Sequence, residues 1–207
     1  YYWSSGKNGT SDKKNNVTWI GSDSLGSNGF SKAVQANPKC FHNDTLKNVI
    51  MGSTSTFRHI DLLKYSETLF PEIDKYKIKD GEVNIDHRYM VKTFIPNLIN
   101  LFQQHIVDEL EKDRGANFLI GVDGKLFQIQ PDYSVLEAKD GYDAVGCGEY
   151  AALGSLYSTT KYCPKFTPVQ HITAALESAE KNCCGVQRPF HIINTKTDEV
   201  ITVEWRK

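Results

Sequence analysis

The sequence predicts an α+β fold of four layers, αββα: two mainly antiparallel sheets face to face, flanked on both outer sides by helices. Three observations lead there. The hydrophobic period switches along the chain in the order strands, two helices, strands, two helices, strands. The strands are joined by short turns, at Asn43-Asp44, Asp123-Gly124 and Lys196-Thr197-Asp198, and short turns make antiparallel neighbours. Finally, each sheet must cover one face with helices and the other with its fellow sheet, because no other apolar surface is available.

The elements follow in order. "NVTWIGSD" (16–23) alternates as a strand does, and "KNVIMGS" (47–53) reads as a more buried one. "PKCFHND" (38–44) pairs with the latter across Asn43-Asp44. After Ser53, apolar residues at 57, 60, 63 and 69–70 predict a helix capped by Ser or Thr and stopped before Pro71. Residues 71–86 are charged, contain Asp80-Gly81, and read as a surface insertion. A longer helix spans 87–115, started or kinked by Pro96 and ended by Gly115.

"ANFLIGV" and "KLFQIQ" form a hairpin around Asp123-Gly124, and "SVLEA" extends that sheet. A helix opens at Gly146-Cys147-Gly148 and runs to about Ser158. The next, 167–182, has Thr167 as cap and Pro168 at the first helical position. "RPFHIINT" and "EVITVEW" close the chain as a hairpin.

The bulk properties are those of one domain over 1–207: 40% hydrophobic, 24% charged, net charge -1. No basic run is present, so nucleic acid is not an expected partner. No apolar run approaches the roughly 20 residues of a membrane span, and "YYWSSGKNGTSDKKNN" has no signal-peptide core. Cys40, Cys147, Cys163, Cys183 and Cys184 are odd in number and form no C-x-x-C pair. They predict buried thiols in a reducing cytoplasm rather than a disulfide framework or zinc ribbon. The six histidines do not fall at ligand spacing, so neither metal nor cofactor is expected.

"DAVGCGEYAALGSL" (143–156) ends a strand in a glycine sandwich at the mouth of a helix. Glycines there permit a sharp turn and close approach, and the helix start offers free N–H groups; both a site and plain helix–sheet packing fit. Asp23 and Lys39 stand sixteen residues apart and, taken alone, read as well as a partly buried ion pair.

The segment from Thr18 to Leu63, with Asp23 at a strand end, Lys39 sixteen residues on and then "MGSTS", resembles the N-terminal-nucleophile (Ntn) hydrolases, specifically the proteasome β-subunit and its bacterial relatives. "DAVGCGEYAALGSL" resembles that family's strand–Gly-Ser-Gly–helix segment, with Cys147 where Ser is usual, and "ITAALESAEKNCCGVQRPFHIINT" the helix and strand after it. The likeness covers about Val17 to Thr195.

It implies a threonine-type peptidase or amidohydrolase without cofactor. The nucleophile is the first residue of the mature chain and its own α-amine the base, with a reference pKa of about 7.7–8.0. Lys39 would lower the pKa of both electrostatically, Asp23 would hold Lys39, and the backbone N–H groups at Ser53 and Thr54 would meet the oxyanion. It also implies a ring-like or stacked homo-oligomer acting on peptide or protein substrates. Tyr150, Leu153, Tyr157, Phe57 and Leu63 are expected on neighbouring outer helix faces between subunits.

The chain departs from the pattern at its start, Tyr1-Tyr2-Trp3, which places the expected nucleophile at or just before Tyr1. Ser4, Ser5 and Thr10 lack a free amine and are poor substitutes. Asn182 stands where an Asp is usual and Gly185 where a Ser is. The alternative is therefore a catalytically inactive subunit acting in assembly or protein interaction. A third reading, a cysteine hydrolase using Cys147 with a histidine, is also open. Segment 24–37 is the expected wall of a substrate pocket.

Overall fold

The structure, a computed structural model, describes residues 2–4, 16–27, 31–54, 56–71, 85–107, 117–122 and 124–205. Most of the expected loop 6–16, of the insertion 71–86 and of the helix end at 108–115 lies outside these residues.

Two five-stranded antiparallel sheets are present, as expected. The first has the order β10-β1-β2-β11-β12: β10 (Tyr142–Ala144), β1 (Tyr2–Ser4), β2 (Trp19–Ser22), β11 (Phe190–Asn194) and β12 (Ile201–Val203). The second has the order β5-β6-β7-β8-β9: β5 (Cys40–His42), β6 (Val49–Ser53), β7 (Phe118–Val122), β8 (Lys125–Ile129) and β9 (Val135–Glu137). Segment 24–37, the expected pocket wall, contains a small hairpin of β3 (Leu25–Ser27) and β4 (Lys32–Val34).

Strand periodicity sorts side chains between layers. On β6, Ile50 joins Ile20, Cys40, Leu119, Val145 and Ile193 between the sheets, while Val49 and Met51 face the other way. There they meet α1 (Phe57–Tyr65), α2 (His87–Tyr89), a π-helical stretch (Met90–Phe94) and α3 (Ile95–His105) through Ile60, Leu63, Phe94, Leu98 and Phe102. On the opposite side, α4 (Glu149–Tyr162) and α5 (Pro168–Asn182) cover the first sheet, with Ile172, Ala175 and Leu176 against Ala144, Phe190 and Ile192. The four layers are thus helix, sheet, sheet, helix.

The long helix starts at His87 as expected, but three helix ends differ, those of α1, of the long helix and of α4, which runs to Tyr162 rather than about Ser158. Helix α1 ends at Tyr65 rather than just before Pro71; Ser66 is extended and its hydroxyl accepts the Thr68 N–H at 3.2 Å. The long helix opens on Asp86, whose carboxylate caps the Tyr89 N–H at 2.7 Å, and it widens to a π-turn just before Pro96. Proline has no N–H and its ring crowds the carbonyl four residues back, so the preceding turn opens and Ile95 N–H donates to Met90 O. That helix ends at His105, because Ile106 turns extended and buries itself in the core.

The expected outer-face patch is corrected. Leu63 is fully buried and Leu153 half-buried, and α1 and α4 lie in opposite outer layers, so they form no common patch; Tyr150, Tyr157 and Phe57 are exposed. The thiols also differ from expectation. All five are free, but only Cys40 is fully buried, while Cys147 and Cys184 are exposed.

Candidate active site

Strand ends build the site. Beyond β2 the chain turns at Asp23, and Lys39 immediately precedes β5, which brings the ends of the two sheets together. Asp23 Oδ1 accepts from Lys39 Nζ at 2.9 Å, and the side chains are only 8% and 12% exposed. Asp23 Oδ2 accepts the Leu25 N–H at 2.9 Å and the Gln187 N–H at 3.4 Å. Three donors therefore fix this carboxylate, and it in turn fixes the ammonium.

The third contributor is the end of β10. Gly146 has φ +106°, a conformation that favours glycine, and a Cβ there would stand 3.0 Å from Thr54 Cγ2. The turn closes with the Glu149 N–H donating to Gly146 O at 3.0 Å, and α4 begins. Between these ends lies a cavity of about 350 Å³. Asp23, Lys39, Thr54 and Gly146–Gly148 make its polar side, and Leu25, Phe57, Ile60 and Val186 its apolar side. The hairpin after Asp23 thus supplies part of the wall through Leu25 and Gly26.

Cys147 opens onto this cavity. Its thiol is held above the usual range by partial desolvation first, then by the neighbouring Cys183 thiol and by the negative charge of Asp23. No histidine is among the described residues lining the cavity, so these give Cys147 no imidazole partner there. Cys40, by contrast, is locked between the sheets, taking a hydrogen bond from Ser22 Oγ and giving one to His191 O, both 3.3 Å. Burial pushes its thiol up to about 11.

The Ser53 amide donates to Lys39 O at 3.3 Å and the Thr54 amide to Asn117 O at 3.2 Å. Both expected oxyanion donors are therefore engaged in backbone bonds. Asn182 turns away, its side chain donating to Ser178 O at 2.7 Å within α5. Gly185 lines the cavity but offers no side chain. Sequence reasoning missed Gln187 and the approach of Cys183 to Cys147; the signal was "NCCGVQ", which has to turn sharply after a helix of known end.

The expected nucleophile position, at or just before Tyr1, lies outside the described residues, as do Ser5 and Thr10. The direction of β1 is nevertheless clear. Tyr2 pairs with Gly21 and Ala144, and Trp3 with Ile20 and Asp143. In an antiparallel ladder each step toward the N-terminus advances one step along both partners, so β1 begins on the side where Asp23 and Gly146 stand.

Solved structures share this architecture. The bacterial proteasome homologue BPH of Thiobacillus denitrificans, in complex with epoxomicin, superposes with TM-score 0.68 at 16% identity, over 93% of this chain and 96% of that one. A second structure of Thiobacillus denitrificans BPH matches equally, over 95% of its length. Eukaryotic HslV from Trypanosoma brucei gives TM-score 0.62 at 15% identity, over 93% and 97%. This is the proteasome-like Ntn-hydrolase fold. No family model matches the sequence, and no curated protein matches it. The four-layer sandwich is accordingly a fold that this chain shares with those structures at low sequence identity. Among the described residues no helix is long and apolar enough to cross a membrane.

Proposed function

We propose that residues 1–207 form one proteasome-like domain acting as a threonine-type peptidase or amidohydrolase with an N-terminal nucleophile. The observation that carries this reading is the buried Asp23–Lys39 pair on the side of the cavity toward which β1 begins. Continuing the β1 ladder past Tyr2 leads to the level of Asp23, where a chain-initial hydroxyl would meet Lys39 Nζ. The ammonium lowers the pKa of hydroxyl and α-amine, and the free amine takes the hydroxyl proton as the oxygen attacks the scissile carbonyl. Asp23 serves as a positioning residue for Lys39. The Ser53 amide makes the longer of the two backbone bonds; we assign it to the oxyanion, whose charge outweighs a neutral carbonyl as acceptor. Cys147 offers its S–H to the amine side of the site. The apolar wall of Leu25, Phe57, Ile60 and Val186 supports a peptide substrate with an apolar side chain beside the cleaved bond.

Self-association is part of the proposal, with exposed Tyr150 and Tyr157 of α4 as contact residues. A cytoplasmic location fits the free thiols.

The inactive alternative is favoured by Asn182 and Gly185, which leave the nucleophile without two of its usual polar neighbours. One experiment separates the two readings: the first residue of the mature native protein, read by intact mass and N-terminal sequencing, together with turnover of fluorogenic peptides. Thr, Ser or Cys with turnover supports the enzyme. A mature Tyr overturns it in favour of the inactive subunit.

A further inference from the structure

The residue usually expected beside an N-terminal nucleophile is replaced here by Cys147, and the structure sets a second thiol against it. The segment that follows α5 doubles back under the mouth of α4. A Cβ placed on Gly185 would lie 2.5 Å from Cys147 Sγ, closer than a side chain there would allow, and 3.8 Å from Cys183 Sγ, an ordinary contact, so both sulfurs border the same point. Only a glycine at 185 lets them do so. The two thiols are close enough for Cys183 to help raise the Cys147 thiol above its usual range. Cys147 is open to the cavity, whereas Cys183 sits half-buried behind it.

We propose that Cys147 and Cys183 form a modification site: a thiol pair that small-molecule disulfides such as glutathione disulfide convert to a cross-link on the wall of the cavity. The reagent enters by the cavity, and the Cys147 thiolate attacks one of its sulfurs, expelling a glutathione thiolate. Cys183 then loses its proton and attacks Cys147 Sγ, forming the S–S bond and expelling the second glutathione. Two protein thiols are oxidised and one disulfide is reduced to two glutathione thiols, so the electrons balance.

The cross-link has a consequence for the site proposed above, and that part rests on the peptidase reading. It removes the S–H of Cys147 from the cavity. It also ties the mouth of α4 to the 183–187 segment, whose Gln187 N–H holds Asp23. A shift there misplaces Lys39, and small misplacements are costly to catalysis. Because the Cys147 thiol is held above its usual range, cross-linking should speed up as pH rises.

The test treats the reduced full-length protein with glutathione disulfide and reads intact mass and non-reduced tryptic peptides. The expected product is two hydrogens lighter, its peptides carrying Cys147 and Cys183 joined. It persists in Cys184→Ser, disappears in Cys183→Ser, and falls in Gly185→Ala, where a methyl group separates the sulfurs. Stable glutathione adducts alone, or a Cys183–Cys184 bond, would overturn the pair. In the activity arm, hydrolysis should drop at least about tenfold on cross-linking and return with dithiothreitol. Cys183→Ser should start at full activity and resist the treatment. A cross-linked protein of undiminished turnover would overturn the regulatory part. If the reduced protein cleaves no peptide at all, the peptidase reading fails while the mass result still decides the thiol pair.

Discussion

Replacing Lys39 by Ala separates the ion pair's structural role from its chemical one. In the native protein the ammonium supplies one of three donors to a carboxylate that is 8% exposed. Removing one partner of a fully buried pair costs about 3–5 kcal/mol. Here Asp23 keeps the amides of Leu25 and Gln187, and the vacated space opens on a cavity that water can enter. The loss should therefore be that of a single charge-assisted bond, about 1–3 kcal/mol. Urea denaturation of both proteins should show an unchanged slope and a lower midpoint. On the proposed peptidase reading turnover, in contrast, should fall by at least about 10²–10³-fold, since Lys39 is the one cationic side chain among the described residues lining the cavity. Lys39→Arg should recover most of the stability and little of the turnover, because the guanidinium carries the charge but its planar fork displaces it. A Lys39→Ala protein with wild-type turnover would refute the assignment; one with wild-type stability would refute the claim that the pair is desolvated.

Gly146→Ala forces a left-handed φ on a residue with a Cβ only 3.0 Å from Thr54, and should lower stability by about 1–3 kcal/mol in thermal melts, with turnover falling too. Stability should also decline in alkali: the Cys40 thiol ionises near 9.0 when unfolded and about 11 when folded, so its contribution is complete below pH 9 and lost as pH rises toward 11. Cys40→Ala should flatten that limb of the curve, and an unchanged limb would refute the assignment. Arg188, buried and clamped between Glu177 and Glu180, should cost about 1–3 kcal/mol as Arg188→Ala in the same denaturation assay, because it leaves the partly buried Glu180 carboxylate with only the amide of residue 188 as donor.

Much of the fold was legible because its strands are buried on both faces. β6, "VIMGS", and β7, "FLIGV", read as continuous apolar runs, and only a sheet covered on each side has a use for such runs. The turn residues then made the pairing antiparallel. What the sequence hid was local. The β3–β4 hairpin has no apolar alternation, since Lys32, Ala33 and Val34 all face solvent. The π-turn before Pro96 depends on which carbonyl the ring crowds, and periodicity alone does not reveal that. Leu63 was misplaced because an amphipathic helix shows which residues share a face, not which face is inward. In the candidate site, Asp23 and Lys39 were legible through their spacing. The closeness of Cys183 to Cys147 was not, because it arises where segments 36 residues apart meet around a glycine.

The arrangement also explains how a fold can persist at 16% identity over 93% of the chain. The layers ask only for apolar side chains of suitable volume at alternate positions, and many sequences meet that demand. The cavity asks for more, but of few residues. It draws Asp23 from the end of β2, Lys39 from the start of β5, Thr54 from the end of β6 and Gly146 from the end of β10. Strand ends at one edge of a sandwich are held in place by the ladders behind them, so each functional side chain inherits its position from backbone pairing rather than from its sequence neighbours. Substitution at such an edge changes chemistry without changing the fold. Cys147 and Gly185 both line the cavity, on the wall where Cys183 approaches. On the same cavity the Asp23–Lys39 pair is desolvated, its carboxylate held by three donors.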